Sequence, residues 1–500
     1  MKTDERVAAF RAYLKRIENF NSAVALLHWD KRTYIPRKGV DARSEVLGML
    51  ATEAHLHTVS DKMKGFLEEL LPLSTELDPV TVRALHQCKK DYDRSVKIPV
   101  KRHEEFMVLT SKAEAVWEDA RARSDFALFA PYLAKVVDMV REFADYWGYE
   151  RHPYDALLDL YEPGMTVATL DPLFTDLRRQ TVDLLRRIQA VPQIDGSMLH
   201  RRFAPDKQRR ICEYILREMG YDLQAGRLDE TAHPFETTIG YGDVRVTTRF
   251  VTDFLNTALF GTIHEGGHAL YEQNIAGELR GTLLHKGISM GIHESQSRFW
   301  ENIVGRSREF WERYYAPLRD VFREELADVD VERFYRAVNI VGPSLIRVEA
   351  DELTYNLHIM IRYEIEKGFL QGDISVRDLP GLWREKMRDY IGIEPENDAV
   401  GVLQDVHWSG GDLGYFPSYA LGNMYAAQFT EAMERDLPAW RESVRAGRLD
   451  ELKEWLATRI HRHGSMLDPA DLLRSVTNER LSSRALMDYL TKKYVALYEL

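Results

Sequence analysis

The sequence predicts a mainly α protein, a large helical array that carries one small antiparallel β-sheet next to a helix with a His-Glu-x-x-His signature. Three observations lead there. Apolar residues recur at three- and four-residue spacing along most of the chain, as amphipathic helices require. Only residues 226–250 switch to alternation with period two. That stretch then runs directly into Ala258–Glu272, which holds His264-Glu265-Gly266-Gly267-His268.

In chain order, Val7, Phe10, Leu14, Ile17 and Phe20 mark the first helix, and its period stops at His28-Trp29-Asp30 and Ile35-Pro36. Further helices are predicted at 41–71, 79–95, 99–123, 127–148, 168–190 and 205–219. Pro72, Pro79, Pro99, Pro131, Pro153, Pro172 and Pro192 fall at or near their ends, where a missing N–H is tolerated. Trp29 reads as a buried tryptophan beside a satisfied His28, with a cleft-lining role as the alternative. In 240–250, Asp243, Arg245, Thr247 and Arg249 share one face and Val244, Val246, Thr248 and Phe250 the other. The apolar face is expected on helices and the polar face outward. This strand, or its edge, either borders the cleft of the next helix or is a structural hairpin with a surface salt bridge. A bordering edge would accept an extended peptide by main-chain pairing. His233, just upstream, carries the same two readings. Beyond residue 294 the helical period returns, in Trp300–Val304, Arg308–Leu326, Val331–Val341 and Arg347–Gly368, and again in Met424–Glu434, Leu449–Arg459 and Leu486–Leu497.

The totals bound the function. The 500 residues are 45% hydrophobic and 29% charged, ordinary values for a globular protein with a sizeable core. A net charge of −12 argues against nucleic acid and anionic membranes as partners. Two cysteines, Cys88 and Cys212, give no disulfide framework, and no apolar run approaches a membrane span. With a charged start and no apolar leader, the expected location is the cytoplasm.

Chemistry concentrates at 264–268. His264 and His268 lie about 40° apart on one helix face, a spacing that lets two imidazoles share one Zn²⁺. Glu265 falls about 60° to one side of His268, placed to take a proton from a water at that ion. The flanking Phe254, Leu255, Ala258, Leu259, Ala269 and Leu270 make this helix a buried one. Unpartnered polar side chains there would cost several kcal/mol, so a partner is required. Paired glycines inside a helix cost about 1 kcal/mol each, which points to a place where bulk is excluded. A catalytic zinc needs a third protein ligand. Glu294 lies 26 residues past His268, room for a loop and a returning helix. It is preferred over His293, which sits about 100° around that helix and suits a supporting or substrate contact.

Three further clusters fit substrate binding: Arg347 in Ile346–Asp351, Gln404 and His407 in Gly401–Trp408, and Tyr415 and Tyr419 in Gly414–Gly422. A guanidinium binds carboxylates bidentately, and phenols or imidazoles donate to an oxyanion. Each cluster alone also reads as ordinary helix-end chemistry.

Taken together, His264-Glu-Gly-Gly-His268, His293-Glu-Ser-Gln-Ser297, Asp243-x-Arg-x-Thr247, Ile346-Arg-x-x-Ala-Asp351, Gly401-x-x-Gln-Asp-x-His-Trp408 and Gly414-Tyr-Phe-Pro-Ser-Tyr-x-Leu-Gly422 resemble the thermostable carboxypeptidase Taq family of zinc metallocarboxypeptidases. The resemblance spans nearly the whole chain. It implies a helical protein around a deep groove, a single peptidase unit over 1–500. Residues 1–225 would cover the groove, and 226–500 would carry the sheet, metal site and substrate motifs. It implies homodimers that remove single residues from peptides with a free C-terminus, with broad specificity and with zinc or cobalt. His264, His268 and Glu294 would bind metal, and Glu265 would be general base and acid. Arg347 would hold the terminal carboxylate. His407, Tyr415 and Tyr419 would contact substrate or the tetrahedral intermediate, with Arg245, His233, His293 and Gln404 as further substrate contacts. A zinc endo-oligopeptidase is the nearest alternative, and a non-catalytic zinc-containing scaffold is the second.

Overall fold

The computed structural model describes residues 3–500. Among the described residues nine α-helices build the N-terminal half: α1 (Thr3–Thr33), α2 (Val40–Thr58), α3 (Asp61–Leu70), α4 (Pro79–Val96), α5 (Val100–Arg123), α6 (Phe126–Trp147), α7 (Pro153–Tyr161), α8 (Val167–Gln189) and α9 (Pro205–Glu218). Two boundaries depart from expectation. α1 continues through Trp29 to Thr33, because the buried Trp29 extends the helix past the point where its aliphatic period ends. The stretch 41–71 is two helices, since the Ser60 side chain caps Met63 N–H at 3.1 Å and starts α3 afresh. The short α7 escaped the sequence reading.

Three strands follow: β1 (Leu228–Glu230), β2 (Glu236–Gly240) and β3 (Asp243–Thr248), in the order β1–β3–β2. β2 and β3 form the expected antiparallel pair, with Thr237 opposite Arg245; β1 adds in parallel, with Leu228 opposite Val246. The apolar face of β3 packs on the next helix as expected. Its polar face is covered as well: Trp29 of α1 lies over Arg245, whose guanidinium carbon is 4.2 Å from the indole centroid. Thr247 is fully buried, its hydroxyl bonded to Phe235 N–H at 2.8 Å and to Phe235 C=O at 3.0 Å.

The C-terminal half comprises α10 (Leu255–Gln273), α11 (Met290–Arg298), α12 (Arg308–Val321), α13 (Val331–Ala337), α14 (Tyr355–Gln371), α15 (Leu379–Tyr390), the single turn α16 (His407–Gly410), α17 (Pro417–Asp436), α18 (Trp440–Arg445), α19 (Leu449–Arg459), α20 (Pro469–Thr477) and α21 (Arg484–Tyr498). Arg347 is not on a long helix, as 347–368 suggested, but on a 3₁₀ turn ahead of α14. α10 lies between α9, β3 and α11, and α11 lies between α10 and α17. One buried apolar cluster runs through both halves. Glu162, the residue after α7, is 1% exposed and accepts from Gly291 N–H at 3.0 Å and Tyr425 O–H at 2.8 Å. The N-terminal half thereby holds the first turn of α11. No helix among the described residues is long and apolar enough to cross a membrane.

Candidate active site

α10 comes close to its neighbours because its glycine pair allows it. A methyl group on Gly266 would stand 2.7 Å from Leu216 of α9, and one on Gly267 would stand 2.7 Å from the α11 backbone at Gln296 and Ser297. α11 can therefore turn Glu294 back toward the two histidines. Its Oε2 is 3.6 Å from His264 Nε2 and 3.4 Å from His268 Nε2. The three donor atoms lie within 4.8 Å of one another. Ligands at about 2.1 Å from a tetrahedral centre stand about 3.4 Å apart, so this set fits one small divalent cation. Glu294 is packed as tightly on its other side, where a methyl on Gly422 of α17 would come within 2.4 Å of its Cγ.

The nitrogens that face away from this point are all engaged. His264 Nδ1 is 2.9 Å from Glu301 Oε2, and Glu301 also accepts from Arg298 at 3.2 Å and Arg306 at 3.1 Å. His268 Nδ1 is 2.5 Å from His293 Nδ1, and His293 Nε2 is 3.0 Å from Glu272 Oε1. If His268 uses Nε2 as a ligand, its Nδ1–H donates to His293, and His293 Nε2–H then donates to Glu272. One neutral pattern satisfies the whole chain. Burial keeps His268 in the neutral form that binds metal, pushing its pKa down to about 3. Burial works against ionising Glu294, yet Arg298, with its Nε 2.6 Å away, and His264 hold the carboxyl well below the usual range. After Arg298 the helix passes into a π segment, Phe299–Val304, closed by Gly305 N–H to Trp300 C=O at 2.8 Å. Such wide turns recur at functional sites, and this one carries Glu301.

Glu265 projects beside the triad and is buried. Burial lifts its pKa to about 7 while His264 pulls it down, so it can both accept and release a proton near neutrality. The main-chain N–H of Glu236 on β2 is also within its reach.

A second constellation adjoins the first through Tyr355, whose ring has the Arg298 guanidinium 4.4 Å above it and whose hydroxyl accepts from Arg347 at 2.9 Å. Arg347 is 4% exposed, and its Nε and Nη2 donate to Asp405 Oδ1 at 3.1 and 2.8 Å. Arg362, fully buried, takes the other oxygen of Asp405 at 2.7 Å. Two guanidiniums thus share one carboxylate, which leaves a positive charge without a counterpart. Tyr419 lies against Arg347, 5.0 Å from guanidinium carbon to ring centroid, and Tyr415 meets Tyr419 at 5.3 Å. His407 stacks on Tyr415 at 5.5 Å; burial presses its pKa down to about 4, and its Nδ1 has no hydrogen-bond partner. His407, Tyr415 and Tyr419 are half-buried.

The structure thus gathers His264, Glu265, His268, His293 and Glu294, and beside them Arg347, Gln404, His407, Tyr415 and Tyr419. Gln404 is engaged with backbone: its Oε1 accepts from Arg347 N–H at 2.8 Å and its Nε2 donates to Leu345 C=O at 3.0 Å. Arg245 is paired with Asp243 through two 2.7 Å bonds. His233 is exposed on the β1–β2 loop, near Arg32, Arg249 and Arg121. No described contact joins Arg245 or His233 to the triad. Sequence reasoning missed Glu272, Glu301, Tyr355, Arg362 and the part played by Asp405. Two of these had a signal: Glu272 follows His268 by four residues, and Glu301 follows Glu294 by seven, both on the ligand-bearing face.

Comparison with known proteins identifies the family. Residues 9–494 match the profile of the carboxypeptidase Taq (M32) metallopeptidase family. The chain is 49% identical over 486 residues to carboxypeptidase 1 of Bacillus subtilis, covering 97% of each. It is 45% identical over 486 residues to thermostable carboxypeptidase 1 of Thermus thermophilus, covering 95% of each. Among solved structures it is similar to an M32 carboxypeptidase from Deinococcus radiodurans, with a TM-score of 0.96, 36% identity and coverage of 99% and 100% of the two chains. With its donor triad and the buried guanidinium pair beside it in place, the chain belongs to the carboxypeptidase Taq (M32) metallopeptidase family and is a metal-dependent carboxypeptidase.

Proposed function

We propose that His264, His268 and Glu294 hold a catalytic zinc, that Glu265 is its general base and acid, and that Arg347 selects the free C-terminus of a peptide. The observation that carries this is the adjacency of two sites, a three-donor set beside Glu265 and a surplus guanidinium charge joined to it through Tyr355 and Arg298. A zinc held by these three side chains would supply a Lewis acid for the scissile carbonyl and would lower the pKa of a water towards neutrality. Glu265 takes the proton of the attacking water and delivers it to the leaving amine. Arg347 receives the substrate carboxylate, which balances the charge left over by Asp405. Tyr415, Tyr419 and the neutral His407 donate to substrate and to the oxyanion. Gln404 acts on Arg347 by fixing its backbone, and Arg245 by stiffening the strand pair under Trp29. His233 stands at the approach.

Cobalt, which accepts the same nitrogen and oxygen donors, substitutes for zinc. Residues 1–225 cover the groove, and the enzyme acts on peptides with broad specificity, as a cytoplasmic homodimer; these last features rest on the family resemblance and on two buried, unpaired cysteines.

The test is mass spectrometry of one N-blocked peptide offered as free acid and as amide. Stepwise loss of single C-terminal residues from the acid alone, abolished by chelator, is the expected result. Arg347→Ala is expected to depress turnover of the acid far more than any residual turnover of the amide. Internal cleavage of both forms would replace this reading with the endo-oligopeptidase, and no cleavage with zinc or cobalt would favour the scaffold.

A further inference from the structure

β2 is a free edge of the sheet, paired only with β3. Phe235 turns its main chain toward Thr247, so alternation sends the main-chain groups of Glu236 away from β3, toward Glu265. The Glu236 side chain is half-buried, and the hydrogen bond its carboxylate makes is from Thr238 O–H at 2.9 Å. Around it stand two more acids, Glu272 and Glu265, and one imidazole, His293, which already bridges His268 and Glu272. Among the described residues no lysine or arginine forms a salt bridge with it. Burial lifts its carboxyl to about 8; His293 offsets part of this, and the neighbouring acids Glu272 and Glu265 add to it.

The position follows from the chain of contacts across the site. Arg347, Tyr355 and Arg298 form a run of contacts that ends on Glu294, while Glu272 and His293 form another that ends on His268, with Glu236 beside Glu272, His293 and Glu265. A peptide whose terminal carboxylate sits at Arg347 and whose scissile carbonyl sits at the triad must run past Glu265 toward β2. The residue that brings this carbonyl is the penultimate one, and it comes abreast of Glu236.

We propose that Glu236 is a specificity-determining residue, its carboxylate receiving the cationic side chain of a lysine or arginine at the penultimate position of the peptide. The inference rests on the site assignment made above. The incoming cation supplies the partner that Glu236 lacks, and Glu265 and Glu272 add to the attraction. Glu272, which His293 holds ionised, repels a penultimate aspartate or glutamate, and Glu236 offers such a side chain no cation.

The experiment uses zinc-loaded full-length enzyme and N-blocked peptides with a constant C-terminal residue and lysine, arginine, norleucine or glutamate before it. In the unmodified enzyme kcat/KM for the cationic peptides is expected to exceed that for norleucine by about tenfold, with glutamate lowest. Glu236→Gln is expected to bring the ratio close to one, and Glu236→Asp to keep part of it. A ratio near one in the unmodified enzyme would overturn the proposal. So would a ratio unchanged by Glu236→Gln, or a Glu236-dependent preference for charge at the C-terminal residue instead. Failure to cleave any peptide, norleucine included, would overturn the site assignment and this inference with it.

Discussion

Replacing Gly422 by alanine adds one methyl group where α17 meets the third ligand of the proposed metal site. That carbon would stand 2.4 Å from Glu294 Cγ, 2.6 Å from its Cβ and 3.1 Å from its carbonyl carbon. Carbon atoms rest about 3.5–4.0 Å apart, so the overlap is about 1 Å. Glu294 has little room to yield, since its carboxylate is tied to Arg298 at 2.6 Å and to Ser297 at 3.2 Å. Overpacking of this kind costs about 1–3 kcal/mol of stability. A ligand displaced by a fraction of this overlap weakens zinc binding by about 10–100-fold, and kcat/KM falls by about 100-fold. Competition against a chromophoric chelator, with thermal melting and kinetics on the same preparations, measures all three. Gly381→Ala is the control, because nothing lies within 4 Å of its Cβ position, and it should leave zinc binding and kinetics unchanged. If Gly422→Ala lowers the melting temperature but binds zinc as the unmodified enzyme does, α17 absorbs the strain. The claim that Gly422 sets the Glu294 position is then refuted.

Three further outcomes follow from the same geometry. Glu265→Gln is expected to keep zinc and fold but lose about 10²–10⁴-fold in kcat, read by metal analysis and steady-state kinetics; full activity would remove Glu265 from the proton path. Glu301→Gln takes the charge from the 2.9 Å contact with His264 and should weaken zinc binding by about 10–100-fold in the same competition assay. Glu366, fully buried with donors Tyr154 O–H at 2.6 Å, Trp408 N–H at 2.6 Å and Gly414 N–H at 2.9 Å, has its carboxyl raised by burial to about 7. A raised folded value means that the stability it lends is complete below about pH 4.5 and is lost as pH climbs through 7. Denaturant midpoints should therefore fall between pH 5 and 7 and level off above that, and fall less in Glu366→Gln; equal slopes would show that Glu366 does not titrate there.

The local sequence was enough to find what lies on one helix face. His264, Glu265 and His268 come from helical spacing, and Glu294 from the length of a loop and a return. Gly266 and Gly267 were legible as intolerance of bulk, though not that each serves a different neighbour. The amphipathic periods found most of the long helices, yet overlooked α7, α15, α18 and α20 and merged α2 with α3, the last because a Ser60 cap is a local hydrogen bond that leaves no mark on apolar spacing. Pairings between distant segments were not legible. Arg362 and Asp405 are 43 residues apart, Glu366 and Gly414 are 48 apart, and Glu162 and Tyr425 are 263 apart. Nothing in either member of such a pair names the other. The polar face of β3 misled for a related reason: alternation separates two faces but does not say that α1 will cover the second one.

The Glu162 contact bears on how far this enzyme can be taken apart and recombined. A chimera that keeps residues 226–500 and borrows 1–225 from a relative inherits a main-chain N–H at Gly291 and a phenol at Tyr425 that both demand an acceptor. Without a carboxylate delivered to that spot, each would lie buried and unbonded, at about 1–3 kcal/mol apiece. The disturbance would enter α11 three residues from Glu294. An exchange of segments succeeds only when the incoming piece brings an acid to the same place. Modularity in this protein ends at a single side chain.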